Sequence, residues 1–199
     1  MKVQVLTNKS EMRSFEQELD RQESFGEFAP KVFERCVTKD DRGREYGIIV
    51  MERLGDEIDA YLMKQRTKQE LDFLANGIVK ILEFCRHKGI THGDLALFNI
   101  AFNSRGQVVF LDFDRAAPRF HPDVDFWRLY IEMFVSTQSN GTKKIHPKNL
   151  AYLKTALPHW AHALGLTGIP KVTTARAEDI WTQAYTRYCK AEKIKCLES

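Results

Sequence analysis

Between Ile90 and Ala116 the sequence sets two short apolar runs, Ile100–Phe102 and Val108–Leu111, on either side of the polar turn Asn103-Ser104-Arg105-Gly106. Runs this short, separated by turn formers, read as the two strands of a small hairpin. The hairpin constrains everything near it. Just before it stands His92-Gly93-Asp94-Leu95-Ala96-Leu97-Phe98-Asn99, and just after it Asp112-Phe113-Asp114. Two carboxylates and one amide therefore fall at the ends of strands.

A carboxylate and an amide carbonyl on one loop, with a second carboxylate across a short hairpin, form the set that phosphoryl transfer from ATP requires. That reaction needs little covalent help. It needs metal ions bridging phosphate oxygens and a carboxylate that orients the incoming hydroxyl and takes its proton. The plainer reading is that Asp94 and Asn99 cap a turn, as Asp and Asn commonly do. That reading leaves the placing of Asp112 and of the later Asp125 without a reason.

Around this centre the pattern is α+β. Lys2 to Leu6 alternates like a half-buried strand, and Asn8 with Glu11 opens a helix whose Met12, Phe15 and Leu19 share a face. The helix should end near Ser24 to Gly26. Lys31–Thr38 and Tyr46–Met51 read as a hairpin across a polar turn at residues 39–43. From Ile58 the periodicity becomes helical, with segments to about Lys64, over Lys68–Lys88, and later over Val124–Val135, Pro147–Leu164 and Ala175–Lys193. Ser136–Ile145 reads as a polar, mobile linker. A boundary near residues 53–57 divides an N-terminal unit, 1–54, from a helical unit, 55–199.

The spacing of His92-Gly93-Asp94 from Asn99, and of Asn99 from Asp112-Phe113, resembles the catalytic loop and metal-binding motif of protein kinases. Asp94 precedes Asn99 by five residues and Asn99 precedes Asp112 by thirteen. The likeness extends outward in order, from about Lys2 to Tyr130. Val50-Met51-Glu52-Arg53-Leu54 resembles the hinge, which implies Met51 as gatekeeper, the Glu52 carbonyl and Leu54 amide facing adenine, and Glu57 near the ribose. Phe15 to Leu19 resembles the helix whose glutamate pairs with a strand lysine, which sets Glu18 against Lys2. Asp125 resembles the aspartate that anchors the catalytic loop backbone.

The resemblance implies a kinase-like fold with a shortened N-terminal lobe. It implies ATP and magnesium as cofactors, Asp94 as base, Asn99 and Asp112 as metal ligands, and Lys2 with Glu18 steadying the phosphates. The sequence also departs from the family. The sequence shows no strand pair with a glycine-rich loop before Lys2, so a phosphate site without that roof, and weak nucleotide affinity, are expected. Gly93 stands where an arginine would read a phosphorylated loop, and the span from Asp112 to Asp125 is short, so loop phosphorylation is not expected to regulate the protein. Ala96 replaces a lysine that contacts the transferring phosphate, and Asp114 replaces the glycine after Phe113. In these last features the chain is similar to atypical kinases and to lipopolysaccharide-type sugar kinases.

Three functions follow as expectations. The first is transfer of the γ-phosphate to a serine or threonine hydroxyl of a protein. The second is a kinase mimic, weakly active or inactive, whose partner is a kinase or a kinase substrate. The third is a small-molecule kinase. Thirty basic against twenty-seven acidic residues leave +3 with no charged block, which does not suggest a nucleic-acid partner. Cys36, Cys85, Cys189 and Cys196 match neither a disulfide framework nor a paired zinc motif, so reduced thiols in a cytoplasmic protein are expected. The start, Met1-Lys2-Val3-Gln4, shows no apolar signal core, and no membrane span is expected.

Overall fold

The structure, a computed structural model, describes residues 2–134, 145–167 and 174–193. Its N-terminal part is a three-stranded antiparallel sheet, β1 (Lys2–Leu6), β2 (Val32–Lys39) and β3 (Glu45–Met51), in the order β1-β3-β2. Helix α1 (Lys9–Ser24) packs across one face of it. Asn8 caps α1 by accepting from the backbone N–H groups of Ser10 and Glu11 at 2.9 and 3.0 Å. Register decides which strand residues meet the helix. Lys2 pairs with Ile49 and Val37 with Gly47, so residues two apart share the face. Leu6, Phe15, Leu19 and Ile49 form the buried cluster between sheet and helix. Gly47 is what lets the helix come so close: a Cβ there would lie 2.7 Å from the Phe15 ring.

The rest of the described chain is mainly helical. A single turn, α2 (Ile58–Tyr61), precedes the long α3 (Lys68–Lys88), then come the two-stranded ladder of β4 (Ile100–Phe102) and β5 (Val108–Phe110), α4 (Pro122–Phe134), α5 (Pro147–Ala163) and α6 (Thr174–Glu192). Thr67 and Glu70 close a reciprocal capping box at the start of α3. The inner stripe of α3, Leu71, Leu74, Ile78, Ile81, Leu82 and Cys85, is buried. Each of its large aliphatic side chains contributes about 1.5–3 kcal/mol by leaving water. On the other side of this core Trp160 of α5 is fully buried, its indole N–H reaching the Ala75 carbonyl at 3.3 Å. Asn149 ties α5 to the link between α2 and α3, donating to the carbonyls of Leu62 and Lys64 at 2.9 and 2.8 Å.

Phe25 and Ala29, well before the expected boundary at residues 53–57, belong to the large core of the helical part. The end of α1 and the 3-10 turn Gly26–Phe28 thus join the sheet unit to the helical unit through apolar packing. The run expected to be a polar linker, Ser136 to Ile145, lies outside the described residues except for Ile145, which is buried. Among the described residues no helix is long and apolar enough to cross a membrane. Cys36 is exposed and Cys85 and Cys189 are buried, all three as free thiols, while Cys196 lies outside the described residues.

Candidate active site

The segment from Thr91 to Asn99 is held by backbone and side chains from three directions. Thr91 and Ala117 exchange backbone hydrogen bonds at 3.0 and 2.9 Å, joining the segment to the chain beyond Asp112. His92 is fully buried among Phe25, Phe110 and Phe113, and its Nε2 lies 2.8 Å from the Leu111 carbonyl. Burial pushes the imidazole below its ordinary range, which keeps the ring neutral. With Nε2–H donating to Leu111, Nδ1 is the acceptor that faces the Asp94 N–H at 3.4 Å. His92 is therefore a packing and orienting group.

Asp125, in the first turns of α4, accepts the backbone N–H of His92 at 3.0 Å through one oxygen and that of Gly93 at 2.8 Å through the other. It is almost wholly buried, and burial pushes its carboxyl up to about 7 against the pull of those two hydrogen bonds. Gly93 turns the chain with φ at +87°. A Cβ there would strike the Arg115 carbonyl and would lie 2.6 Å from the Tyr188 hydroxyl, so only glycine fits both the conformation and the space.

Asp94 follows with most of its side chain enclosed. Its backbone carbonyl accepts the Asn99 Nδ2–H at 2.8 Å. This hydrogen bond fixes the Asn99 amide, and no partner occupies Asn99 Oδ1 among the described residues. The Asn99 carbonyl in turn accepts the Leu111 N–H at 2.8 Å. That contact ends β5 one residue before the expected Leu111 and presents Asp112, whose φ of +59° lies in the left-handed region rarely used by residues other than glycine. The Asp112 carboxylate is half exposed and its Oδ1 stands 3.9 Å from the Lys2 ammonium. Lys2 is ion-paired with Glu18, which α1 buries against the sheet. Strand β1, helix α1 and the two loops thus bring Lys2, Glu18 and Asp112 together.

Beyond Asp112 the chain is pinned by residues far away in sequence. Arg21 donates to the Asp114 carbonyl, Tyr188 donates to the Arg115 carbonyl, and Arg115 reaches the Tyr185 hydroxyl at 2.9 Å. Burial, with the Asp112 charge second, pushes the Asp114 carboxyl up. A cleft of about 700 Å³ runs beside this segment, with Gln4, Glu18, Arg21, Asp114 and Glu192 in its wall.

The hinge-like residues sit on the run that links β3 to α2. Met51 is half-buried against the sheet–helix cluster. The Glu52 N–H donates to the Lys31 carbonyl at 2.9 Å. Its carboxylate accepts from the Lys31 N–H at 2.8 Å and from the Ser104 hydroxyl at 3.1 Å, a stapling role that the sequence did not suggest. Leu54 is half-buried, and Glu57 is exposed with its backbone bridged to Ala101.

One prominent neighbour of Asp94 escaped the sequence reading. Arg128 of α4 donates through Nε to Asp94 Oδ1 at 2.7 Å and through Nη1 to Glu132 Oε1 at 2.7 Å. A signal was there: Asp125, Arg128 and Glu132, at spacings of three and four, make a charged stripe along a helix that is mostly apolar after its first turn.

Asn99 Oδ1 and the Asp112 carboxylate are the oxygen donors of these loops that could hold a divalent cation. No group of three His, Cys, Asp or Glu side chains poised for a metal occurs among the described residues. Two oxygen donors suit magnesium, which keeps several waters and takes its remaining ligands from phosphates.

A family model described as the RIO domain matches residues 41–131. The RIO-type serine/threonine-protein kinase Rio2 of Methanocaldococcus jannaschii is 31% identical over 83 residues, which cover 41% of this chain and 31% of that protein. The match thus spans under a third of that relative's length. Among solved structures, a divergent kinase that lacks the glycine-rich loop and regulates membrane ultrastructure of the Toxoplasma parasitophorous vacuole superposes with a TM-score of 0.57. It is 15% identical, over 92% of this chain and 73% of its own, a likeness of fold. Similarity in sequence across the catalytic loop and similarity in fold across nearly the whole chain agree: the chain is a member of the protein kinase-like superfamily, with a kinase-like α+β fold.

Proposed function

We propose that the chain is an ATP- and magnesium-dependent phosphotransferase that passes the γ-phosphate to a serine or threonine hydroxyl of a protein. The observation that carries this reading is the anchored Asn99 amide. Its nitrogen is committed to the Asp94 backbone, which leaves its oxygen without a hydrogen-bond partner among the described residues, on the loop that also bears the Asp94 carboxylate. When bound, magnesium would neutralise charge on the phosphate oxygens. Asp94 orients the acceptor hydroxyl and holds its proton, Lys2 sets a positive charge beside the phosphates, and Glu18 fixes that lysine in place.

The choice of a protein hydroxyl is supported by the similarity, over 83 residues, to a serine/threonine-protein kinase. Incubation with ATP labelled in the γ-phosphate, magnesium and a mixed protein acceptor is expected to give labelled protein with the parent and none with Asp94→Ala. Equal labelling by both would end the assignment. Labelled small hydroxyl compounds in place of labelled protein would move it to the small-molecule class.

A second reading, a kinase mimic that binds a kinase or its substrate, draws on β1. It lies at the edge of its sheet, with Val3 and Val5 about half exposed. Such an edge is suited to adding a strand from a partner. Capture of a kinase by the parent and equally by Asp112→Ala, with no label transfer, would favour this second reading.

A further inference from the structure

The Asp94 carboxylate has two oxygens in different situations. Oδ1 accepts the Arg128 Nε–H at 2.7 Å, and Oδ2 carries no hydrogen bond among the described residues. Arg128 is itself tightly confined. Only 16% of its side chain is exposed, its Nη1 is bonded to Glu132, and its guanidinium stands 5.7 Å from the Phe98 ring centroid and 5.5 Å from that of Trp181. Both distances are within the range over which an aromatic face attracts a cation. The planar guanidinium is therefore held on its edges by two carboxylates and beside its plane by two rings. Ala96, two residues after Asp94, is buried and brings no charge to the loop.

We infer that Arg128 is the positioning residue of the phosphotransfer centre: it clamps Oδ1 of Asp94 so that Oδ2 alone meets the acceptor hydroxyl. This rests on the phosphotransferase reading above. In the step it serves, the acceptor oxygen forms a bond to the γ-phosphorus and the bond from that phosphorus to the β,γ-bridging oxygen breaks. ADP leaves with the electron pair, and the hydroxyl proton passes to Asp94 Oδ2. Arg128 stays protonated throughout. One consequence follows from the geometry. A carboxylate held at one oxygen cannot rotate, so the other oxygen is presented in a fixed direction before substrate arrives.

Arg128 touches neither nucleotide nor acceptor, so its removal should be felt in turnover and much less in nucleotide binding. Arg128→Gln keeps a polar side chain of moderate length and removes the charge. Its kcat is expected to fall by about 100-fold, with KM for magnesium-ATP within about threefold of the parent. Arg128→Lys restores a cation without the flat fork and is expected to recover about tenfold of the lost kcat.

A kcat within about threefold of the parent in Arg128→Gln would overturn the inference. If the glutamine variant does not fold, a loss beyond about 100-fold in a folded Arg128→Lys would overturn it, because the charge is then not what matters. Asp94→Asn run alongside separates the two claims. If it transfers phosphate as well as the parent, the phosphotransferase reading falls and this inference with it. If it is dead while Arg128→Gln is fully active, only the role of Arg128 falls.

Discussion

The carboxylate of Asp125 accepts the backbone N–H of Gly93 at 2.8 Å across 32 residues of chain, and its other oxygen takes the neighbouring His92 N–H. Helix α4 thereby dictates the path of the loop that bears Asp94. Asp125→Ala leaves two enclosed donors without acceptors, at about 1–3 kcal/mol each. A loss of about 2–5 kcal/mol in urea denaturation is expected, together with loss of phosphate transfer.

The same residue sets a pH dependence. Burial raises the Asp125 carboxyl in the folded chain to about 7, against an ordinary value of 3.8. Between those values the folded chain keeps a proton that the unfolded chain has released. The contribution of this group is thus fully present at low pH and is lost as pH rises through about 7. Asp125→Asn does not titrate, and its amide nitrogen faces an N–H donor, which lowers stability at every pH. The stability gap between parent and Asp125→Asn is expected to narrow from about pH 5 to about pH 7.5 in urea titrations. A gap that widens would contradict the assigned direction.

Gly93→Ala is expected to be among the most damaging single-methyl additions in the protein. The left-handed φ of +87° disfavours any Cβ, and the Arg115 carbonyl and Tyr188 hydroxyl already fill the space. Strain and overpacking together should cost about 2–5 kcal/mol. Differential scanning calorimetry would read this as a large fall in midpoint. A midpoint within a degree or so of the parent would mean that the loop takes another path.

Lys2 and Glu18 separate stability from nucleotide binding. The Lys2 side chain is 38% exposed, so losing its ion pair with Glu18 should cost less than about 1 kcal/mol of folding stability. Lys2→Met should nonetheless weaken magnesium-ATP binding by about tenfold, because a charge-assisted contact to phosphate is lost. Isothermal titration calorimetry on the folded variant checks this. Unaltered affinity would remove Lys2 from the nucleotide site.

The thiols should divide by burial. Cys36 on β2 is exposed, while Cys85 in the inner stripe of α3 and Cys189 on α6 are enclosed. Burial pushes the Cys85 thiol far above its ordinary range, which keeps it protonated and unreactive. Brief treatment with a thiol reagent at neutral pH, followed by peptide mapping, is expected to find Cys36 modified and Cys85 and Cys189 modified only after denaturation.

Helix α3 was legible in the sequence to its last residue, because an apolar stripe of period 3.6 runs between Thr67 and Gly89 and local forces alone define both ends. The hairpin of β4 and β5 was legible for the same reason, as was the spacing of Asp94, Asn99 and Asp112 that it carries. Where β5 stops was not. Leu111 looks like strand, but its N–H is taken by the Asn99 carbonyl and the chain then turns into the left-handed region at Asp112. Nor could the sequence say that Phe25 and Ala29 belong to the helical core, since apolar residues do not declare which apolar surface they will meet.

The sequence by itself determined which groups could do chemistry and that one short hairpin spaces them along the chain. The tertiary structure decided what those groups touch. Arg128 meets Asp94 across 34 residues, Tyr188 meets Arg115 across 73 and Arg21 meets Asp114 across 93. Contacts of that separation leave no periodic trace in a sequence. They exist because the helices bury their apolar faces against a common core, and that docking fixes where the polar side chains on their edges come to rest.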